Sequence, residues 1–132
     1  MKTREIPRNE WSKFFDSFSR DHSGSSVTLE ILGIEIGAQV EEYELAFEGI
    51  VSQVDKGRGY EIAIMMGSRP EDHITHSIGR VTQVSLEQSD EGKDGVLAIK
   101  SADGVMALLR FLSPMFPEMA DGLVAQQSRP PV

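Results

Sequence analysis

The spacing of apolar residues along this chain changes once, near residue 26, from a helical period to a strand period. Before that point Trp11, Phe14, Phe15 and Phe18 fall at i, i+3, i+4 and i+7, one face of a helix over about residues 9–21. Asn9 is placed to cap this helix, Glu10 suits its first turn, and Pro7 marks the entry. Lys13, Asp16, Ser17 and Arg20 take the opposite face, and Gly24 in a Ser-rich stretch ends the element. A stripe of four aromatic residues is the expected cover for a sheet.

After the change, Val27, Leu29 and Ile31 alternate with Thr28 and Glu30. Tyr43, Leu45 and Phe47 alternate with glutamates, and Tyr60, Ile62, Ile64 and Met66 alternate with Glu61 and Ala63. This is the pattern of half-buried antiparallel strands with one wet face. Further strands are expected at about 80–88, 96–101 and 105–112. Asp55–Gly59, Asp90–Gly95 and Asp103-Gly104 read as hairpin connections. The 105–112 segment is apolar on both faces, so it belongs in the centre of the sheet or covered on both sides. Gly33–Gly37 fits a turn, a bulge or a bend. Pro117, Glu118, Met119 and Ala120 suggest a short C-terminal helix, and residues 126–132, ending in Pro130-Pro131, read as a flexible tail.

The expected architecture is therefore α+β. An N-terminal helix packs on a curved antiparallel sheet of about six strands, with a short C-terminal helix, in a single domain over residues 1–125. Gly33, Gly37 and Gly49 allow the sheet to roll into a small, partly open barrel. A helix followed by an Sm-like or SH3-like barrel is the alternative architecture.

Length and charge narrow the function classes. The 132 residues fit one domain that folds without a disulfide or metal staple. With 21 acidic and 13 basic residues the formal net charge is −8. That opposes nucleic acid and anionic lipid, both of which reward Lys and Arg. The absence of cysteine removes thiol chemistry and Cys-based zinc sites, and with the charged opening residues it suggests a cytoplasmic protein.

Candidate chemistry begins with Glu71-Asp72-His73-Ile74-Thr75-His76. Histidine and carboxylate side chains ligate metals and move protons near neutral pH. The zinc-protease pattern needs two histidines four apart, whereas His73 and His76 are three apart. On a strand the two would point to opposite faces. The remaining histidine, His22, is the available third ligand. Asp72, His73 and His76 are thus the metal candidates. The structural reading is a polar loop entering a strand, and no cofactor or catalytic residue is assigned.

From Glu30 to Asp55 there are seven acidic residues and no Lys or Arg, a row expected on the solvated face, where it also discourages edge pairing. Gly57-Arg58-Gly59 could cradle an anion, but it leads into a strand rather than a helix, so a hairpin loop is expected. The Asp90–Gly95 loop lacks the ligand spacing of an EF-hand. Met115, Phe116 and Met119 are adaptable apolar residues of the kind found at interfaces. They are the interaction candidates, for a second copy or another protein; closing one end of the core is the structural reading of the same residues.

The opening Thr3-Arg4-Glu5-Ile6-Pro7-Arg8-Asn9-Glu10-Trp11, followed by Phe14 and Phe18, resembles that of a bacterial family of unknown function. The close, Leu109-Arg110-Phe111-Leu112-Ser113-Pro114-Met115-Phe116-Pro117-Glu118-Met119, is similar to that family's close. The resemblance implies a single bacterial domain and brings no established activity or catalytic residue. Together the residues point to a non-enzymatic interaction or self-associating module. The alternatives are a small metal-dependent enzyme at His73 and His76, or a small-ligand binder with the Trp11 helix lining its pocket.

Overall fold

Among the described residues, eight antiparallel strands and one α-helix make up the fold. The computed structural model describes residues 2–33, 37–57, 59–67 and 69–115. β1 (Lys2–Ile6) leads through a 3-10 turn at Arg8–Glu10 into α1 (Trp11–His22). Then come β2 (Ser26–Gly33), β3 (Gly37–Asp55), β4 (Gly59–Met66), β5 (Ile74–Ile78), β6 (Val81–Gln88), β7 (Asp94–Ser101) and β8 (Val105–Met115). The strand order is β1-β6-β7-β8-β2-β3-β4-β5.

Half of this sheet is organised by rows of buried residues running across the strands. Ile31 pairs with Ala107, Ala107 with Ile99, Ile99 with Val84, and Val84 with Ile6. A parallel row runs Leu29–Leu109–Leu97–Leu86 and ends on Arg4. Because alternate side chains share a face, strict alternation in each strand stacks these residues into one core. β8 sits in the centre between β7 and β2, as its two-sided apolar pattern requires.

The other half is formed by the second part of β3 with β4 and β5. β3 is 19 residues long and changes partner along its length. Residues up to Ala46 pair with β2, while Phe47 to Asp55 pair with β4. Glu44 adopts φ 57 and a bulge falls between Phe47 and Gly49, so the strand bends where the partner changes. The bend folds β4 over the core until it touches β6.

Helix α1 closes the open end. Trp11, Phe15, Phe18 and His22 are buried at helical spacing. Trp11 Nε1 donates to Ile6 O at 2.8 Å and its ring meets Tyr60 edge-on. Phe18 contacts both Phe47 and Phe111, with ring centroids 5.9 and 5.6 Å away. At the C-terminal end Ser19 Oγ donates to Ile50 O at 3.0 Å and accepts from Ile50 N–H at 2.9 Å. One hydroxyl thus occupies the place of a missing strand beside Ile50.

Several expectations are corrected. Among the described residues the sheet has eight strands rather than about six, and it is not closed into a barrel, since β1 and β5 end the order without pairing with each other. β1 was hidden because its charges, Lys2, Arg4 and Glu5, are those of an edge strand. Asn9 lies inside the 3-10 turn, and neither the turn nor α1 has a side-chain cap. The three hairpins stand where expected, and Gly33 pairing with Gly37 shows a hairpin at the ambiguous glycines. The expected C-terminal helix and tail lie outside the described residues.

Replacing Ser19 by Ala should destabilise the fold by about 1–3 kcal/mol, because two backbone groups of Ile50 lose their partner. Ser17→Ala, which loses one exposed bond to Lys13 O, should cost no more than about 0.5 kcal/mol. Urea unfolding of the two variants checks the contrast.

Candidate functional site

The structure separates the residues of the histidine cluster. His73 precedes β5, and its Nδ1 lies 3.1 Å from Glu48 Oε2. Asp72 is held instead by Arg69, whose Nη2 lies 2.8 Å from Oδ2. A Cβ on Gly67 (φ +101) would overlap the Asp72 carbonyl, so only glycine admits this loop. His76 sits within β5 opposite Ile64, on the same phase as buried Ile78, and lines a different small cavity with Ser101 and Val105. Among the described residues no group of three His, Asp or Glu converges on a metal position. The third histidine belongs to another cluster altogether.

His22 ends the buried stripe of α1, with 1% exposure, and its Nε2 lies 2.8 Å from Oδ2 of Asp94, itself 2% exposed. Gln88 Nε2 donates to the other oxygen of Asp94 at 2.7 Å. The imidazole is packed against Phe18 and Phe111, centroids 4.6 and 4.7 Å away. A histidine–carboxylate pair can activate a nucleophile, but His22 Nδ1 is buried with no hydrogen-bond partner among the described residues. The pair instead ties the end of α1 to the start of β7. Asp94 is also the residue opposite Met115, so the same clamp holds the end of β8. His22 follows Phe18 by one helical turn, and extending the aromatic stripe by that turn would have found it.

Two cavities flank this clamp, and Gln88 lines both. One, of about 240 Å³, lies between α1 and the β1 edge and is lined by Arg4, Phe14, Asp21 and Asp94. The other, of about 390 Å³, opens where β7 and β8 lose register between Asp94–Met115 and Val96–Arg110. Val96, Phe111 and Leu112 give it an apolar lining, with Lys93 and Arg110 on its rim. Arg110 donates through Nε and Nη2 to Glu30 Oε1. Trp11 itself is buried against Tyr60, with Arg8 above both rings, while its helix lines the smaller cavity through Phe14, Phe18 and Asp21.

The remaining feature is an open strand edge. In an antiparallel ladder alternate residues direct N–H and C=O outward. Ile50 does so toward Ser19, so Ser52 and Val54 point the same way. Neither has a partner on that side among the described residues. Val51 and Val54 are 47% and 71% exposed, and with Leu112 they are the exposed large apolar residues of the described fold. Of the acidic row, Glu30 and Glu48 are paired and Glu44 is exposed on β3. Met115 aligns with Asp94 through its backbone. Its side chain, and Phe116 and Met119 entirely, lie outside the described residues, as does Arg58 of the glycine loop.

Asp94→Ala should cost about 3 kcal/mol, the scale of breaking a buried pair. The double change with His22→Phe should cost less than the two single changes summed, because neither partner is then left stranded. Chemical denaturation of the four proteins in the cycle measures this.

The comparisons with known proteins bring no activity. No helix among the described residues is long and apolar enough to cross a membrane. No solved structure matches the chain significantly. An uncharacterized protein of Aquifex aeolicus (strain VF5) is 31% identical over 117 residues, covering 89% of this chain and 97% of its own length. The profile of a family of unknown function, DUF5335, matches residues 2–119, and the chain belongs to that family.

Proposed function

We propose that this protein is a non-enzymatic interaction module that binds an extended polypeptide segment by strand addition to residues 51–55 of β3. The observation that carries this reading is the unpaired outward edge at Ser52 and Val54, bordered by exposed Val51 and Val54. Strand addition draws its affinity from main-chain hydrogen bonds and its selectivity from alternate side chains. The other open edges carry features that discourage such pairing. β1 has Lys2, Arg4 and Glu5, β5 is five residues long, and the first half of β3 carries Glu41, Glu42 and Glu44. Between Gly49 and Val54 there is no charge, no proline and no further bulge.

A second reading, a small-ligand site, is favoured by the cleft at Val96, Phe111 and Leu112, since sheet irregularities often accompany binding sites.

A photo-crosslinking residue placed at Gln53 in cells expressing the full chain should give a discrete adduct that disappears with Val54→Lys. The same residue at Thr82, exposed on β6, should not give it. Equal adducts from both positions, or none from Gln53, would contradict strand addition.

A further inference from the structure

We infer that the segment which adds to this edge is the same edge of a second copy, so that two chains pair antiparallel through β3 about a two-fold axis at Gln53. The inference rests on the strand-addition reading above and names its partner.

The register follows from which backbone groups are free. Ile50 is already satisfied on the outward side by Ser19 Oγ. Pairing must therefore use Ser52 and Val54, the outward residues beyond it. A two-fold axis at Gln53 sets Ser52 of each copy opposite Val54 of the other, and both pairs exchange N–H and C=O. Isologous contacts of this kind require a self-complementary patch. Under this register Val51 meets Asp55 and Gln53 meets Gln53, so no like charges are opposed. On one face Val51 and Gln53 of the two copies adjoin, and on the other Ser52 and Val54 do.

Charge selects a second copy over a charged partner. The chain carries −8 overall, and a basic segment would be drawn to the acidic row rather than to an uncharged edge. Gly49–Val54 is the stretch of β3 where two acidic chains can approach without local repulsion. The contact area is small, so the association is weak and reversible. Because the two bodies repel, added salt strengthens it, opposite to an interface built on ion pairs.

Sedimentation equilibrium of the purified full chain tests this. The apparent mass should rise with concentration from 14.6 kDa toward twice that value, and rise further with added salt. Ser52→Pro and Val54→Lys should each weaken the association at least tenfold. Both should unfold at the wild-type urea midpoint when dilute, since the Ser52 N–H has no partner among the described residues and Val54 is exposed. Thr75→Lys, on the β5 edge, should leave association unchanged. A wild-type chain that stays monomeric overturns the second-copy inference; if Gln53 still crosslinks to another protein, strand addition stands. Association abolished by Thr75→Lys rather than Val54→Lys, or weakened by salt, also overturns it. If Ser52→Pro unfolds the chain, the assigned direction of the Ser52 N–H is wrong and the register falls with it.

Discussion

One strand that serves two partners must bend, and the bend in β3 is the constraint from which the rest of this structure follows. β2 occupies one edge of β3 as far as Ala46, and β4 occupies the opposite edge from Phe47 onward. Each half therefore has an unpaired edge where the other half has a partner. An unpaired row of backbone groups must be covered, wetted or used. The chain covers part of the second-half edge with elements that are not strands. Gly24 N–H donates to Phe47 O, Ser25 O accepts from Phe47 N–H, and Ser19 serves Ile50. Beyond Ile50 the cover stops, and the edge at Ser52 and Val54 has no partner among the described residues.

The helix can give that partial cover only if its C-terminal turn is held in place, and the buried clamp does this. Phe18 and His22 lie one turn apart, one facing Phe47 and Phe111, the other bonded to Asp94. The packing of Phe18 fixes where the helix sits over the bend. The hydrogen bond from His22 fixes how far it extends toward β7. Burying this pair is costly unless its geometry is satisfied, so it favours one placement of α1 over neighbouring ones. Ser19, between these two residues, is thereby delivered to Ile50. The clamp, the aromatic cluster and the cover of the strand edge are parts of one arrangement.

Much of the fold was legible because its residues follow simple periods. The Trp11–Phe18 stripe and the hairpin glycines each had one good structural solution; the 105–112 segment fits both periods, and Asp103-Gly104 with the breaker Ser113-Pro114 decided for a strand. β1 was not legible, because an edge strand defended by charge looks like a solvated leader. The site was less legible for two different reasons. Asp94 looked like a loop carboxylate, and nothing local shows that a histidine 72 residues away shares its burial. The open edge at Ser52 cannot be seen in Ile50-Val51-Ser52-Gln53-Val54 alone, since the same residues inside a sheet would be ordinary. It exists only because β2 leaves β3 at Ala46. The pair His73 and His76 attracted notice by residue type, yet His73 lies before β5 beside Glu48 and His76 lies within it against another cavity.

The central claim is that the outward groups of Ser52 and Val54 are free in one chain and paired between two. Amide hydrogen exchange, resolved by residue and followed over a range of protein concentrations, measures this most directly. The account predicts that Ser52 and Val54 exchange rapidly in dilute protein and slow as concentration rises. Gln53, bonded inward to β4, should stay protected throughout. Rapid exchange of Ser52 and Val54 at every concentration, or protection already present in the dilute monomer, would contradict it.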